Sequence, residues 1–192
     1  MRKSLIVSLS LFLLATTAQA QEAPAGFSRT LGATIYGSIP LVDTLPVVDP
    51  GIGGGVYFDY RFNQRFSLTV EAFSIVQDGT GPSGGEGALL FFGIPTGTLK
   101  VYLLKSTSKF DPYVGLGLGL YFLSEGDVSN SSFGVGLGAQ IEVGFDYYLS
   151  DAFSVGVAGT YRAVGLINKL SGTANATTYM PYTLLGKFGY HF

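Results

Sequence analysis

The stretch FGVGLGAQIEVGFDYYL, residues 133–149, decides the reading of this chain. Its odd positions are Phe133, Val135, Leu137, Ala139, Ile141, Val143, Phe145, Tyr147 and Leu149. Its even positions are Gly134, Gly136, Gly138, Gln140, Glu142, Gly144, Asp146 and Tyr148. Strict alternation means one side chain up and one down along a β-strand, so one face is apolar and the other is glycine and polar groups. A strand of a soluble sandwich runs about 5–6 residues; this one is roughly three times that. A tilted strand crosses a bilayer in about 9–11 residues, with any excess standing above it.

The same rule holds along the rest of the chain. Outward faces are Leu31, Ala33, Ile35, Gly37 and Ile39; then Ile52, Gly54, Val56, Phe58 and Tyr60; then Phe66, Leu68, Val70 and Ala72; then Leu99, Val101 and Leu103. They continue through Val114, Leu116, Leu118, Leu120 and Phe122; the stretch quoted above; Phe153, Val155, Val157 and Tyr161; and Tyr182, Leu184, Phe188, Tyr190 and Phe192. Two places resist. Phe73 and Ile75 fall on the inward face, as a bulge or an apolar inner wall. Residues 88–94 read either as the upper part of the fourth strand or as a loop, and Pro181 interrupts the start of the last strand, where proline is tolerated.

Lipid offers no water to backbone groups, so strands cross it only as a closed ring. Short connections near Asn63-Gln64, Ser106–Lys109 and Ser150-Asp151 alternate with long ones at Pro40–Pro50, Gln77–Pro95, Ser124–Ser132 and Asn168–Tyr179. Short periplasmic turns and longer external loops mark outer-membrane barrels. Both termini then lie on the periplasmic side, which requires an even strand number. The fold class is therefore all-β: a transmembrane antiparallel up-and-down β-barrel of eight strands. Phe58, Tyr60, Phe62, Phe66, Phe110, Tyr147, Phe153, Tyr190 and Phe192 sit beside the short turns, as one aromatic girdle; Phe122, Phe133 and Tyr182 lie toward the long loops.

Composition agrees. Charged residues are 12%, against about 25% in soluble domains. The 11 basic and 13 acidic residues give no basic patch for nucleic acid. With no cysteine there is no disulfide or thiolate site, and no cofactor or metal is expected. Arg2 and Lys3, the apolar run Leu5–Ala15 and Ala18-Gln19-Ala20 have the form of a cleavable signal peptide over residues 1–20, leaving residues 21–192 as one barrel domain.

With that facing, the inward charges are Asp59, Arg61, Glu71, Lys100, Glu142, Asp146, Arg162 and Lys187. An eight-stranded barrel is just wide enough for side chains to fill it, and isolated charges there are costly. Asp59, Glu71, Lys100, Glu142, Arg162 and Lys187 are the expected lumen network, with Arg162 paired to a carboxylate. They would hold the lumen shut or line a narrow polar path. Gly115, Gly117, Gly119, Gly134, Gly136 and Gly138 make room for large inward neighbours such as Tyr102, Tyr113 and Tyr121.

Catalysis is not expected. The one histidine, His191, lies at the periplasmic rim, a membrane thickness from external lipid chemistry, and a histidine-dependent triad needs hydrogen-bond reach.

Phe188, Tyr190 and the terminal Phe192 resemble the β-signal read by the barrel assembly machinery. The segment Phe110–Gly119, with Pro112-Tyr113-Val114-Gly115, resembles a strand common to the small eight-stranded outer-membrane barrels, namely OmpA-like, OmpX-like and OmpW-like proteins. Ile94-Pro95 to Tyr102 is similar to the fourth strand of OmpW-like proteins, and Tyr190-His191-Phe192 to their ending. The resemblance implies an integral protein of the Gram-negative outer membrane, surrounded by lipid. OmpW-like members imply an apolar lumen and passage of small hydrophobic solutes; the inward charges here depart from that pattern. Three functions stand beside one another: a structural or narrow-pore barrel, a surface-recognition barrel acting through its loops, and, least supported, a lipid-modifying enzyme.

Overall fold

The computed structural model describes residues 29–43, 48–80, 86–104, 109–125, 132–170 and 173–192. The expected signal peptide lies outside the described residues, as does most of the connection at 106–109. Eight strands form one closed antiparallel barrel in chain order. They are β1 (Arg29–Asp43), β2 (Gly51–Arg61), β3 (Phe66–Thr80), β4 (Glu86–Tyr102), β5 (Phe110–Glu125), β6 (Ser132–Tyr148), β7 (Phe153–Leu170) and β8 (Thr173–His191). β1 closes on β8, and the start of β1 meets the residue after β8 at the short-turn rim: Arg29 N donates to Phe192 O at 3.2 Å and Phe192 N to Arg29 O at 2.9 Å.

Alternation sorts the side chains. Leu116, Leu118, Leu137, Ile35 and Ile52 face outward and are among the most exposed side chains, while Tyr113, Tyr121, Gln140 and Glu142 point inward and are buried. A soluble core logic is thereby inverted: the apolar belt lies outside, where lipid satisfies it.

The long connections are shorter than the hydrophobic pattern implies. β3 runs on to Thr80 and β4 starts at Glu86; β7 reaches Leu170 and β8 starts at Thr173. The residues at these strand ends carry no strong apolar alternation in the sequence, yet their backbones stay paired. Pro181 accordingly lies inside β8, opposite Pro40 of β1, where the register shifts between Pro40 and Val42.

Residues 88–94 form the upper part of β4. Glu71 pairs with Thr96 but Phe73 with Gly93, so Ile94 and Pro95 together oppose a single residue of β3. This bulge reverses the facing of the strand. Below it Thr96, Thr98, Lys100 and Tyr102 point inward; above it Gly93, Phe91 and Leu89 do. A proline at a bulge forfeits no ladder hydrogen bond, which explains its tolerance in mid-strand.

Candidate functional site

The interior has two tiers. In the tier nearer the short turns, β2 places Tyr57, Asp59 and Arg61 on successive inward positions. Arg61 Nη2 lies 2.8 Å from Asp111 Oδ2 and donates to Gln64 O at 2.7 Å, its Nη1 donates to Tyr148 Oη at 2.8 Å, and its guanidinium lies 3.9 Å over the Tyr102 ring. One arginine thus ties the β2–β3 turn to β5 and β6. Lys100 Nζ is 3.5 Å from Asp59, whose carboxylate also accepts from Ser67 and Thr69.

Lys187 Nζ is 2.8 Å from Asp146 and donates to Tyr113 Oη at 2.6 Å. Tyr113 in turn donates to Glu142 at 2.5 Å, and Tyr102 to Asp146 at 3.1 Å. Tyr113 therefore relays between a cation and a carboxylate that do not touch. Hydroxyls from β3, β4, β5 and β6 replace much of the solvation that these charges lost on leaving water. The space left within this tier, beside Tyr57, Lys187 and His191, admits about one water molecule.

Arg162 and Glu71 sit at middle depth. Among the described residues neither is in an ion pair. Arg162 Nε donates to Gln140 Oε1 at 3.0 Å, its Nη1 donates to Thr183, and its guanidinium lies 4.6 Å from the Phe73 ring centre. Glu71 accepts from Thr34 at 3.2 Å and from Tyr36. The expectation of an Arg162–carboxylate pair is therefore corrected. The neutral amide of Gln140, held by Thr98 at 2.6 Å and by Tyr121 at 3.0 Å, fills the place where a carboxylate was expected.

The tier nearer the long connections is largely apolar, with Gln77 a buried polar side chain that accepts from Tyr179 Oη. Phe73, Ile75, Leu89, Phe91, Tyr121, Leu123, Val164, Leu166, Tyr179 and Leu185 belong with Tyr36 to one buried cluster, which continues through Ala158, Tyr113 and Tyr102 into the charged tier. Phe91 and Tyr121 stack at 5.7 Å, and Tyr179 meets Phe91 edge-on at 5.0 Å. Of the two readings of Phe73 and Ile75, the inner wall holds. Charges thus fill the short-turn half and reach middle depth with Glu71 and Arg162, so the contrast drawn with an apolar lumen does not extend to the tier nearer the long connections.

All six expected network residues point inward and are buried. Lys100 meets Asp59 directly, Lys187 reaches Glu142 through Tyr113, and Glu71 and Arg162 stand apart from these ion pairs. Asp111 was missed, although it shares the odd parity of Tyr113 and could have been found from it. The glycine reading holds for Tyr121, whose ring lies where a Cβ on Gly138 would go and beside that of Gly119, where Thr96 is nearer; Tyr113 crowds Gly144 instead, a glycine outside that reading. Gly115 and Gly117 instead make room for Thr98 and Gln140.

On the outer surface Phe188, Tyr190 and Phe192 are exposed along β8 and its end, with Phe153 packed against the first two. Phe92, Phe122 and Phe133 make a second cluster toward the opposite rim. His191 lies at the short-turn rim, its Nδ1 2.8 Å from Thr30 Oγ1.

Several solved structures share this architecture. Neisserial surface protein A superposes with a TM-score of 0.62 at 15% identity, over 86% of this chain and 97% of that one. The outer membrane protein OprG of Pseudomonas aeruginosa gives 0.55 at 21% identity, over 91% and 99%. Ail, the attachment invasion locus protein of Yersinia pestis, gives 0.55 at 12% identity, over 86% and 99%. At such identities the likeness is one of fold. No curated protein matches the sequence. The family model described as outer membrane protein beta-barrel domain matches residues 6–192, nearly the whole chain, and the protein belongs to that family.

Proposed function

We propose that this protein is a non-enzymatic structural barrel of the outer membrane whose lumen is closed at rest, with any solute passing only when the inner side chains rearrange. The observation that carries this reading is the two-tier filling. Ion pairs and tyrosines occupy the short-turn half, and stacked rings the other half. Eight strands leave little more than the volume of these side chains. Short turns and both termini face the periplasm in this reading, and the outward row Phe188, Tyr190 and Phe192 is the edge offered to the barrel assembly machinery. A catalytic role is disfavoured by His191, which lies at the periplasmic rim and bonds to Thr30.

Single-channel conductance of the refolded chain in a planar bilayer, beside Glu142→Gln, tests the proposal. A silent membrane, with insertion shown separately, supports a closed barrel. Reproducible steps that change in Glu142→Gln would make the lumen a path and overturn it.

Surface recognition is the second reading. Strands β7 and β8, at 18 and 19 residues, exceed the roughly 9–11 needed to span and stand above the bilayer as a paired ridge. One structurally similar barrel is an attachment invasion locus protein. Binding of labelled protein-bearing cells to host-cell surfaces, lost on trimming the β7–β8 ridge, would favour it.

A further inference from the structure

Among the described residues, the charged positions at strand ends and turns divide between the two ends of the barrel. At the end with the longer strands lie Asp43, Asp49, Asp78, Glu86 and Glu125, at or near the ends of β1, β3, β4 and β5, with Lys169 near the end of β7. At the short-turn end lie Arg29 at the start of β1, Arg65 in the β2–β3 turn and Lys109 just before β5; Asp151 stands in the β6–β7 turn. Arg29 and Arg65 are exposed and Lys109 is half-buried. The ion pairs among the described residues are lumenal and engage none of these three cations.

We propose that Arg29, Arg65 and Lys109 form a binding surface for the headgroups of anionic phospholipids. Their depth is the first argument. Phe192 exchanges backbone hydrogen bonds with Arg29, Phe66 follows Arg65 and Phe110 follows Lys109. Aromatic girdles lie at the level of the headgroups, so a cation one residue beyond them lies at the level of the phosphates. Fixed placement is the second. Arg65 O accepts from Tyr102 N at 2.8 Å, Lys109 O accepts from Tyr148 N at 2.8 Å, and Asn63 Oδ1 accepts from Arg65 N at 2.8 Å.

The third argument is spacing. Arg29, Arg65 and Lys109 are carried by successive hairpin ends, two strands apart, which is about 10 Å along the rim at the usual strand separation. They therefore meet separate lipid molecules rather than crowding one. Guanidinium binds phosphate through paired charge-assisted hydrogen bonds, and basic residues beside a membrane are drawn to negative lipid. Asp151 limits the surface to the β1–β5 side. That this leaflet is the inner one rests on the orientation proposed above; the headgroup preference does not.

The test is spin-label EPR of the folded chain in phosphatidylcholine nanodiscs, comparing trace spin-labelled phosphatidylglycerol with trace spin-labelled phosphatidylcholine. The expected result is a motionally restricted fraction favouring phosphatidylglycerol by about threefold, falling in high salt. The preference should vanish in the Arg29→Gln/Arg65→Gln/Lys109→Gln variant and persist in Asp151→Asn. Equal restriction of the two lipids by the wild-type chain, or a preference that survives in the triple variant, overturns the proposal. If the triple variant does not fold, Arg65→Gln and Lys109→Gln must each lower the preference, and their failure to do so overturns it as well. Protease accessibility in intact cells reads the orientation separately, so that failure of one is not failure of the other.

Discussion

Arg162 Nε lies 3.0 Å from Gln140 Oε1, so the most deeply placed guanidinium of the barrel rests against a neutral amide. Lys187, by contrast, lies 2.8 Å from the Asp146 carboxylate. The two cations occupy one lumen, yet removing them has different consequences.

Arg162→Met should cost little, about 1 kcal/mol or less, because no carboxylate within salt-bridge distance is stranded and the apolar tier lies alongside. Lys187→Met should cost more, about 3 kcal/mol, since the mostly enclosed Asp146 loses its ion-pair partner. Urea unfolding of both variants in lipid vesicles reads the difference. Equal losses would mean that the middle charges are held as tightly as the lower ones.

Arg61 and Asp111 should be strongly coupled. A double-mutant cycle with Arg61→Ala and Asp111→Ala should return an interaction of about 2–3 kcal/mol, at the upper end for contacting pairs. Arg61→Ala alone should cost more than Asp111→Ala, because the arginine also holds Gln64 O and Tyr148 Oη.

The outward belt predicts a depth-dependent penalty. Leu118 and Leu137 are 72% and 71% exposed, toward lipid. Leu118→Arg or Leu137→Arg should cost about 2–4 kcal/mol in folding into a bilayer, as expected for a basic residue near the midplane. Arg65→Leu, at the rim, should fold with nearly unchanged stability in the same vesicles.

Backbone approach at Gly136 leaves no room for a side chain: a Cβ there would lie 1.9 Å from Gly165 O. Gly136→Ala should destabilise by about 1–3 kcal/mol, as overpacking does. At Gly186 nothing lies within 4 Å of an added Cβ, and Gly186→Ala should be neutral or slightly stabilising. Differential unfolding midpoints of the two variants check this.

The two tiers should be independently sufficient to stop ions. Phe91→Ala removes a ring packed against Phe73, Tyr121 and Tyr179 and should cost about 3–5 kcal/mol. Bilayer current should nonetheless stay at baseline, because the salt-bridged tier is untouched. Steady conductance in Phe91→Ala would mean that the charged half is already permeable.

Much of this was legible in the chain. Alternation from Phe133 to Leu149 announces a membrane strand because lipid demands one apolar face and the pleat supplies it every second residue. The same parity assigns Glu71, Lys100, Glu142, Arg162 and Lys187 to the interior before any fold is known, and would have assigned Asp111. Residues 88–94 were ambiguous for a physical reason: the bulge at Ile94 and Pro95 reverses the parity of β4 midway, so no single phase fits the strand. The upper ends of β3, β7 and β8 were hidden because their residues carry no strong apolar alternation in the sequence.

What the sequence by itself determined is the class of solution: outward apolar rows, inward polar ones, an even number of strands and a girdle of aromatics. These follow from local periodicity and from the medium. Which inward groups meet was decided only by tertiary structure. Ring closure and stagger set the height at which each strand delivers its side chains, and a shift along the β6–β7 ladder would give Arg162 a different cross-strand neighbour. That is why Arg61 finds Asp111 across the barrel, Tyr113 joins Lys187 to Glu142, and Arg162 comes to rest on Gln140.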